Sequence, residues 1–229
     1  MSFIQESMYF GFVLSLAAYL VGVKLKKKFG WAILNPLLVA VVLVVACLLV
    51  FHIDYQDYNE SAKYISYLLT PSTVCLAIPL YKQLELLKKN FAAVMAAIIA
   101  GVAASTVSIW AMSLVFGLGH QHYVTLLPKS ITTAIGMGVS EEAGGIVTIT
   151  VMCIIITGIL GNIIAEIVFK LIRLENPIAR GLALGTSAHA IGTAKALELG
   201  EIEGAMSSLA IAVAGLLTVA AVPLAAGLI

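Results

Sequence analysis

Residues 124–145 read VTLLPKSITTAIGMGVSEEAGG, a polar stretch between long apolar runs. It holds a proline, a lysine, four glycines and five serines or threonines, which is too polar for a helix that faces lipid. Irregular backbone is tolerated at membrane depth only where it is buried in protein or lines a watery cavity. We therefore predict that 124–145 is a polar re-entrant or broken segment of a membrane protein.

The rest of the chain has the composition of a membrane protein. Its 229 residues are 61% hydrophobic and 11% charged, against roughly 45–50% and about 25% in globular proteins. Four runs without a charged residue are each long enough for a helix of about 20 residues to cross the bilayer: 29–53, 90–128, 143–165 and 204–229. This composition and these uncharged runs exclude a soluble enzyme. A nucleic-acid-binding protein is excluded as well, since a net charge of +1 without a basic tail offers no surface for a polyanion.

An all-α polytopic membrane protein with about seven transmembrane helices is predicted. The crossing stretches are about 8–24, 31–52, 61–81, 91–117, 146–169, 180–198 and 205–229. The first is expected to be retained, because it has no basic start and ends in a lysine cluster. If 124–145 is re-entrant, the positive-inside rule places every basic loop inside and the acidic turn of Glu198, Glu201 and Glu203 outside.

A loose internal repeat accompanies this topology. The sequence from Thr70 aligns with that from Thr186: each has a polar break, a short amphipathic stretch, a charged turn and a small-residue helix. We predict inverted repeats of about 31–117 and 146–229 with interrupted helices, within a single integral membrane domain. Secondary transporters have this architecture, and their substrate sites lie near the membrane midplane, where the breaks meet.

The first predicted break lies in LLTPSTVCLAIPLYK, residues 68–82. Pro71 and Pro79 each remove a backbone donor and disfavour helix at the preceding residue, so the helix is expected to break near Thr70 and again near Ile78. The hydroxyls of Ser72 and Thr73 then either face a polar ligand or bond back to their own helix at a packing kink.

The second predicted break follows Pro128 and supplies candidate substrate ligands: Lys129, Ser130, Thr132 and Thr133. A lysine within the membrane is costly unless it meets an anion or a carboxylate. Lys129 is therefore expected either to attract a small carboxylate substrate or to pair with Glu141 or Glu142. That glutamate pair is expected either to relay protons or to lie solvated at the rim.

The third candidate group lies in GTSAHAIGTAKALELGE, residues 185–201. In a continuous helix Thr186, His189 and Thr193 share one face, with Ser187 beside them. His189 changes charge near neutral pH and is a candidate for proton coupling; the alternative is a neutral histidine that hydrogen-bonds two helices. Lys195 is expected to extend to the membrane interface.

No enzyme activity, cofactor or metal site is expected. Ser-His-Asp, HExxH and nucleotide-binding loop patterns are absent from the sequence, which leaves only a Lys129–Ser130 dyad as a remote nucleophile. His120 and His122 alone are too few ligands for a specific metal site. Two other groups are expected to serve packing: the cysteines Cys47, Cys75 and Cys153, and the small residues Ala97, Gly101, Ser105, Ala210 and Ala214, which pack within the chain or between copies.

Several of these stretches resemble the CidB/LrgB family of bacterial membrane proteins, to which the plastid glycolate/glycerate translocator is related. The matching stretches run across nearly the whole chain: LNPLLVA (34–40), CLAIPLYK (75–82), LLPKSITTAIGM (126–137), EEAGGI (141–146), RGLALGTSAHAIGTAKALELG (180–200) and EGAMSSLAI (203–211). LLPKSITTAIG and SAHAIGTAKALE look closer to the CidB side than to the LrgB side.

The resemblance implies a multi-pass protein of the bacterial plasma membrane that acts with a small holin-like partner of the CidA/LrgA type. It also implies a link to murein hydrolase activity, cell lysis and programmed cell death, and to the movement of small monocarboxylates such as pyruvate, glycolate or glycerate. Two hypotheses follow. The first is a monocarboxylate transporter coupled to protons; the second is a holin-like or antiholin-like regulator without transport of its own. A homo-oligomer is expected in either case.

Overall fold

The computed structural model describes residues 9–31 and 34–229, which contain α-helices and no strand. The chain divides into two compact units, Met1–Cys75 and Leu76–Ile229. Three of the described helices are long and apolar enough to cross a membrane: Phe91–Phe116, Val147–Leu171 and Glu201–Ala226. All three lie in the second unit, where they surround the polar segments.

The described residues of the first unit form four helices: α1 (Phe10–Phe29), α2 (Pro36–Val50), α3 (Tyr55–Ser66) and α4 (Leu69–Cys75). Helix α1 ends at Gly30, whose φ of 69° is a left-handed conformation that suits glycine. Asn35 begins α2, since its side-chain oxygen accepts a hydrogen bond from the Leu37 amide at 2.9 Å. Gly22 lets α1 approach the backbone of Pro36, where a Cβ would meet the carbonyl oxygen at 2.7 Å.

The second unit contains eight helices: α5 (Ala77–Lys82), α6 (Leu84–Lys89), α7 (Phe91–Phe116), α8 (His120–Leu126), α9 (Thr133–Glu142), α10 (Val147–Leu171), α11 (Pro177–Leu199) and α12 (Glu201–Ala226). Its main apolar core joins α7, α11 and α12 through Val94, Ile98, Leu182, Met206 and Ala210. Of the small residues that were expected to serve packing, Ala210 and Ala214 belong to this core and Gly101 lies against Thr186. Ala97 is exposed.

Helices α8 and α9 are the two arms of a hairpin, which we call hairpin one (residues 120–142). Thr125 on α8 lies beside the start of α10: its Oγ1 accepts from the Ile146 amide at 2.8 Å, and its carbonyl accepts from the Thr150 hydroxyl at 2.9 Å. Because Ile146 follows α9, the chain has returned to the level of Thr125. Residues 127–132 form the tip, where Pro128 stands between the arms.

Helix α11 reverses direction at His189, where φ is 41° and ψ is −133°. A Cβ at Gly192 would lie 2.5 Å from the carbonyl oxygen of Leu184, although residues eight apart in a straight helix are separated by about 12 Å. Residues 177–188 and 190–199 are therefore the antiparallel arms of a second hairpin, hairpin two. Thr193 on the returning arm bonds Ser207, which also contacts Gly185 on the first arm.

Hairpin two corrects the predicted topology. The stretch 180–198 does not cross, because both ends of hairpin two lie at the same end of α10: Arg180 stacks on Phe169, and Lys195 pairs with Glu166 at 2.5 Å. The prediction that Glu198, Glu201 and Glu203 lie opposite the basic loop is wrong, since the chain returns to that loop's end before α12 begins. The ion pair also gives Lys195 a partner on α10.

The stretch 61–81 is likewise not one crossing helix, since it is divided among α3, α4 and α5. The breaks fall at residues 67–68 and at Leu76. Pro71 and Pro79 stand in the first turn of the next helix, where the missing amide is least costly. The structure thus shows three candidate crossings among the described residues. Crossings at 8–24 and 31–52 stay predictions, and residues 1–8 and 32–33 lie outside the described ranges.

The relative directions of the crossing helices α7 and α12 differ from those that the sequence repeat predicts. The first arm of hairpin two runs parallel to α7, since Gly101 lies against Thr186 and the two helix starts, Asn90 and Asn176, line the same cavity. It also runs parallel to α12, since Gly181 lies against Glu203 and Gly185 against Ser207. Helices α7 and α12 are therefore parallel, although the sequence repeat pairs them as inverted partners, and that pairing is wrong. For the other parts of 31–117 and 146–229 the inverted repeat stays a prediction. The two hairpins enter the second unit from opposite ends.

Candidate functional site

A cavity of about 870 Å³ lies between α7 and the first arm of hairpin two and reaches the tip of hairpin one. Its volume falls in the range of about 300–1,000 Å³ that is typical of small-molecule sites. Asn90 and Asn176 line one end, at the start of α7 and α11. The other polar groups that line it are Ser105, Ser108, Lys129, Ser130, Thr186 and Ser187. Four of these were predicted site residues: Lys129, Ser130, Thr186 and Ser187.

Lys129 is the only cation among the residues that line this cavity. Its Nζ donates to Ser130 Oγ at 3.0 Å, and Ser130 Oγ lies 3.3 Å from Ser105 Oγ on α7. No Asp or Glu within residues 9–31 and 34–229 pairs with Lys129. A cation held at membrane depth without a counter-ion is costly, so its presence points to a ligand that supplies the negative charge.

The structure does not pair Lys129 with Glu141 or Glu142. Both glutamates are exposed at the end of α9, ten residues of helix away from the tip that holds Lys129. Glu142 lines a separate shallow cavity of about 320 Å³ against the end of α12. The glutamate pair therefore lies at the rim of the second unit, which agrees with the hypothesis that these two side chains are solvated and not with a pairing to Lys129.

His189 is buried, with 3% of its surface exposed. Its Nε2 donates to the carbonyl oxygen of Ile154 on α10 at 2.9 Å, which leaves the ring outside the cavity that contains Lys129. Gly158 makes room for the ring, since a Cβ there would lie 2.7 Å from it. The prediction that Thr186, His189 and Thr193 share a helical face is wrong, because the helix reverses at His189. The hydrogen bond from His189 to Ile154 matches the other hypothesis for His189, in which the histidine links two helices.

Further contacts hold hairpin two in place. Asn162 Nδ2 donates to the Ile191 carbonyl at 3.1 Å, and Thr193 shares a 2.6 Å hydrogen bond with Ser207. Gly161 on α10 accepts the close approach of Ala188. The sequence signals for this packing are GILG (158–161) on α10 and GLALG (181–185) on hairpin two. The small-residue motifs predicted from the sequence included neither.

The remaining predicted residues lie elsewhere. Thr132 and Thr133 stand at the start of α9 and do not line the cavity. Ser72 belongs to the first unit, where its hydroxyl donates to its own helix at Leu68 with a 2.6 Å bond. Thr73 also belongs to the first unit, and its side chain lies outside the described part of the chain.

The tip of hairpin one meets the first arm of hairpin two at a second, much smaller cavity of about 10 Å³. Leu127, Ser130 and Ile131 of hairpin one and Thr186 of hairpin two line it. Further hydroxyls come from the crossing helices: Ser105, Thr106 and Thr218. This volume suits about one water molecule. Sequence reasoning assigned Ser105 to packing and missed Thr106 and Thr218, because a serine or threonine in an apolar helix ordinarily bonds back to its own backbone.

The lysines and arginines of the second unit are distributed asymmetrically. Apart from Lys129, all of them lie at the end of the crossing helices where α7 and α12 begin and α10 ends: Lys82, Lys88, Lys89, Lys170, Arg173, Arg180 and Lys195. The opposite end carries Glu141 and Glu142 and none of these cations. The positive-inside rule assigns the basic end, and with it the Asn90–Asn176 end of the cavity, to the cytoplasmic side.

Three crossing helices with two hairpins entering from opposite ends define a multi-pass membrane protein. The chain belongs to the LrgB-like family, whose model matches residues 15–228. Similar proteins include the antiholin-like protein LrgB of Bacillus mycoides (strain KBAB4), of Bacillus cereus (strain B4264) and of Bacillus anthracis (strain CDC 684 / NRRL 3495). Each is 40% identical over 217 residues, which cover 94% of both chains. No solved structure matches the chain.

These names settle the family that the sequence motifs suggested. The relatives carry the LrgB name, which goes against the expectation that the chain stands closer to the CidB side. The membrane location is also established, because the family match and the three apolar helices agree.

Proposed function

We propose that this protein transports small monocarboxylates of the pyruvate, glycolate or glycerate type across the membrane. The observation that carries the proposal is Lys129, a basic side chain without a carboxylate partner among the described residues, in a cavity lined by the tip of hairpin one and the first arm of hairpin two. Carboxylates accept charge-assisted hydrogen bonds from lysine and from hydroxyl groups. Ser130 supplies such a hydroxyl beside Lys129, since its oxygen accepts from Lys129 Nζ. The hydroxyls of Thr186 and Ser187 line the same cavity but donate to backbone carbonyls of their own helix.

The charge of the cavity favours a monoanion. One lysine balances one carboxylate, and a second carboxylate on the substrate would meet no second cation among the residues that line the site. The remaining wall is apolar and built from small residues such as Ala97, Ala104 and Ala183. A short acid with a hydroxyl or keto group therefore satisfies the polar end without burying a second charge.

The hairpins supply a route for alternating access. Hairpin one enters from the end that carries Glu141 and Glu142, and hairpin two enters from the basic end. Interrupted helices of this kind meet near the midplane in secondary transporters, and movement around them exposes a fixed site to either side. We assign Lys129 and Ser130 to substrate binding and propose no enzyme activity for them.

Uptake by purified protein tests the proposal. Proteoliposomes that contain the full chain are given radiolabelled pyruvate, glycolate or glycerate, and we expect saturable uptake of at least one of them. Lys129→Gln should reduce uptake about 10- to 100-fold, because a hydrogen bond to a charged group contributes about 1.5–3 kcal/mol. Lys170→Gln removes an exposed lysine outside the cavity and should leave uptake unchanged. Unsaturable leakage of large solutes by the wild type would rule transport out.

The antiholin-like name of the relatives favours a second function. In this second proposal the protein controls murein hydrolases together with a small CidA/LrgA-like membrane partner, as the family resemblance implies. In this account the polar tips serve only assembly, and a homo-oligomer or a hetero-complex is the active form. Lys129→Gln would then leave control of lysis intact in cells while the protein still inserts. The two functions are compatible, since movement of an acid across the membrane changes the energised state on which lysis depends.

A further inference from the structure

We propose that Lys129 is also the proton-binding group that couples transport to the proton gradient, neutral in the empty cavity and protonated when a carboxylate is bound. This inference rests on the proposed monocarboxylate transport and concerns the same site. Lys129 thereby takes the proton-coupling role that the sequence predicts for His189, Glu141 and Glu142.

The surroundings of Lys129 disfavour a permanent charge. The titratable groups close enough to act electrostatically on Lys129 are Cys153 on α10 and His189, whose ring lies outside the cavity. Neither is an anion that would hold an ammonium group in place. The polar side chains of α7 that line the cavity with Lys129 are the hydroxyls of Ser105 and Ser108, and on α12 the hydroxyl of Thr218 lines the smaller cavity beside Ser130. Desolvation without a counter-ion favours the neutral amine, and lysine releases its proton more readily than arginine when it is buried.

The substrate supplies the missing counter-ion. A carboxylate that enters the cavity stabilises the ammonium form, so the amine takes one proton from the medium as the anion binds. By linkage, proton and carboxylate each raise the affinity for the other. The loaded site holds one positive and one negative charge and is neutral. On the opposite side the carboxylate leaves, the ammonium group returns its proton to the medium, and the empty carrier moves back with a neutral amine.

The other candidates are placed unfavourably for this role. His189 donates to the Ile154 carbonyl and lies outside the cavity. A proton on its second nitrogen would not contact the substrate. Glu141 and Glu142 are exposed at the far end of α9. A proton exchanged there has no contact with a carboxylate held at Lys129.

Proton uptake on binding tests the inference. Purified full-length protein in detergent is titrated with glycolate, pyruvate and glycerate in buffers of different ionisation enthalpy, at a series of pH values. We expect the wild type to take up about one proton per bound carboxylate in the pH range where the empty amine is neutral. Lys129→Arg should take up none at any pH, since guanidinium stays protonated. Lys170→Arg and His189→Gln should both retain the wild-type proton count.

A second measurement covers the case in which Lys129→Arg fails to bind. Uptake into proteoliposomes by the wild type should follow an imposed proton gradient and ignore an imposed membrane potential, because the loaded and empty forms are both neutral. Binding without proton uptake at every pH, or uptake driven by potential alone, would overturn the role of Lys129 while leaving transport intact. A wild type that neither binds nor takes up any of the three acids would instead refute the proposed function.

Discussion

The two hairpins reach the same region of the second unit by opposite designs. Hairpin one has a polar tip that follows Pro128, with Lys129 facing an open cavity and bonded only to a neighbouring serine. Hairpin two has a tip clamped against α10 by His189 and Asn162. The first tip keeps its binding groups available, whereas the second uses its polar groups to hold the backbone.

The difference shows that a polar residue within the membrane does not reveal its role by type. His189 is the more obvious candidate for chemistry, yet its hydrogen bond and its burial make it a structural link. Lys129 lacks such a partner among the described residues, and that lack is the basis of the proposal that it binds a ligand. The following predictions test this division of roles between the two tips.

The largest effect on stability is expected from Gly158→Ala on α10. The new methyl group would meet the His189 ring and the Ile191 side chain, each at 2.7 Å, in a site where the ring is held by its hydrogen bond. Overpacking of this kind costs about 1–3 kcal/mol. Thermal unfolding of the purified protein in detergent would measure the loss.

Gly138→Ala is the matched control for that substitution. It lies on α9, where a Cβ meets no other atom within 4 Å. It should keep or slightly raise the stability, since alanine is the better helix former. Equal unfolding temperatures for the two variants would show that hairpin two does not pack into α10 as described.

A somewhat smaller difference in stability is expected between two substitutions of His189, the residue at which α11 reverses direction. His189→Gly and His189→Ala both remove the hydrogen bond to Ile154 and the ring, but only glycine adopts a φ of 41° without strain. The glycine variant should therefore be more stable by about 1 kcal/mol, at the lower end of the cost of a strained backbone conformation. Chemical unfolding followed by circular dichroism would resolve the pair. A more stable alanine variant would argue for a continuous helix at this position.

At the tip of hairpin one, Ser130→Ala should weaken carboxylate binding about 2- to 10-fold, because it removes one hydrogen bond worth roughly 0.5–1.5 kcal/mol. Titration of the purified protein with labelled glycolate would give the two affinities. Ser72→Ala is the control, since that hydroxyl bonds to its own helix in the first unit. An unchanged affinity in Ser130→Ala would remove this hydroxyl from the binding site.

The smallest effect is expected from Glu142→Gln at the far end of α9. An exposed surface substitution generally changes stability by less than about 0.5 kcal/mol, and Glu142 lies outside the main cavity. Uptake rates and their dependence on the proton gradient should match those of the wild type. A loss of gradient-driven uptake would restore the glutamate pair as the coupling group.

Hairpin one was predictable from sequence because its polarity is visible. Pro128, Lys129 and the glycines of 124–145 interrupt an apolar region, and such a segment is incompatible with lipid. The predicted ligands Lys129, Ser130, Thr186 and Ser187 also meet in one cavity. These residues come together because hairpin one and the first arm of hairpin two line the same cavity. The sequence predicts the two interrupted helices but not the contact between them.

Hairpin two was hidden because the chain reverses at a residue other than glycine or proline. The sequence around His189 has the spacing of a regular helix, so a single unusual φ changed the direction of everything that follows. The misplaced acidic turn at Glu198 and the wrong orientation of α12 both derive from that reversal. The contacts that stabilise it, through Gly158 and Gly192, depend on residues distant in sequence or on the reversal itself.

The most direct test of the account is protection of the cavity by substrate. Ser187→Cys, in a background where Cys47, Cys75 and Cys153 are replaced by serine, places a thiol on the exposed wall of the cavity near Lys129. A water-soluble thiol reagent should label it, and glycolate or pyruvate should slow the labelling, whereas an uncharged analogue should not. Adding Lys129→Gln should abolish the protection, and Glu142→Cys should never show it. Labelling that no carboxylate slows, in protein that still takes up the acids, would contradict the placement of the substrate at Lys129.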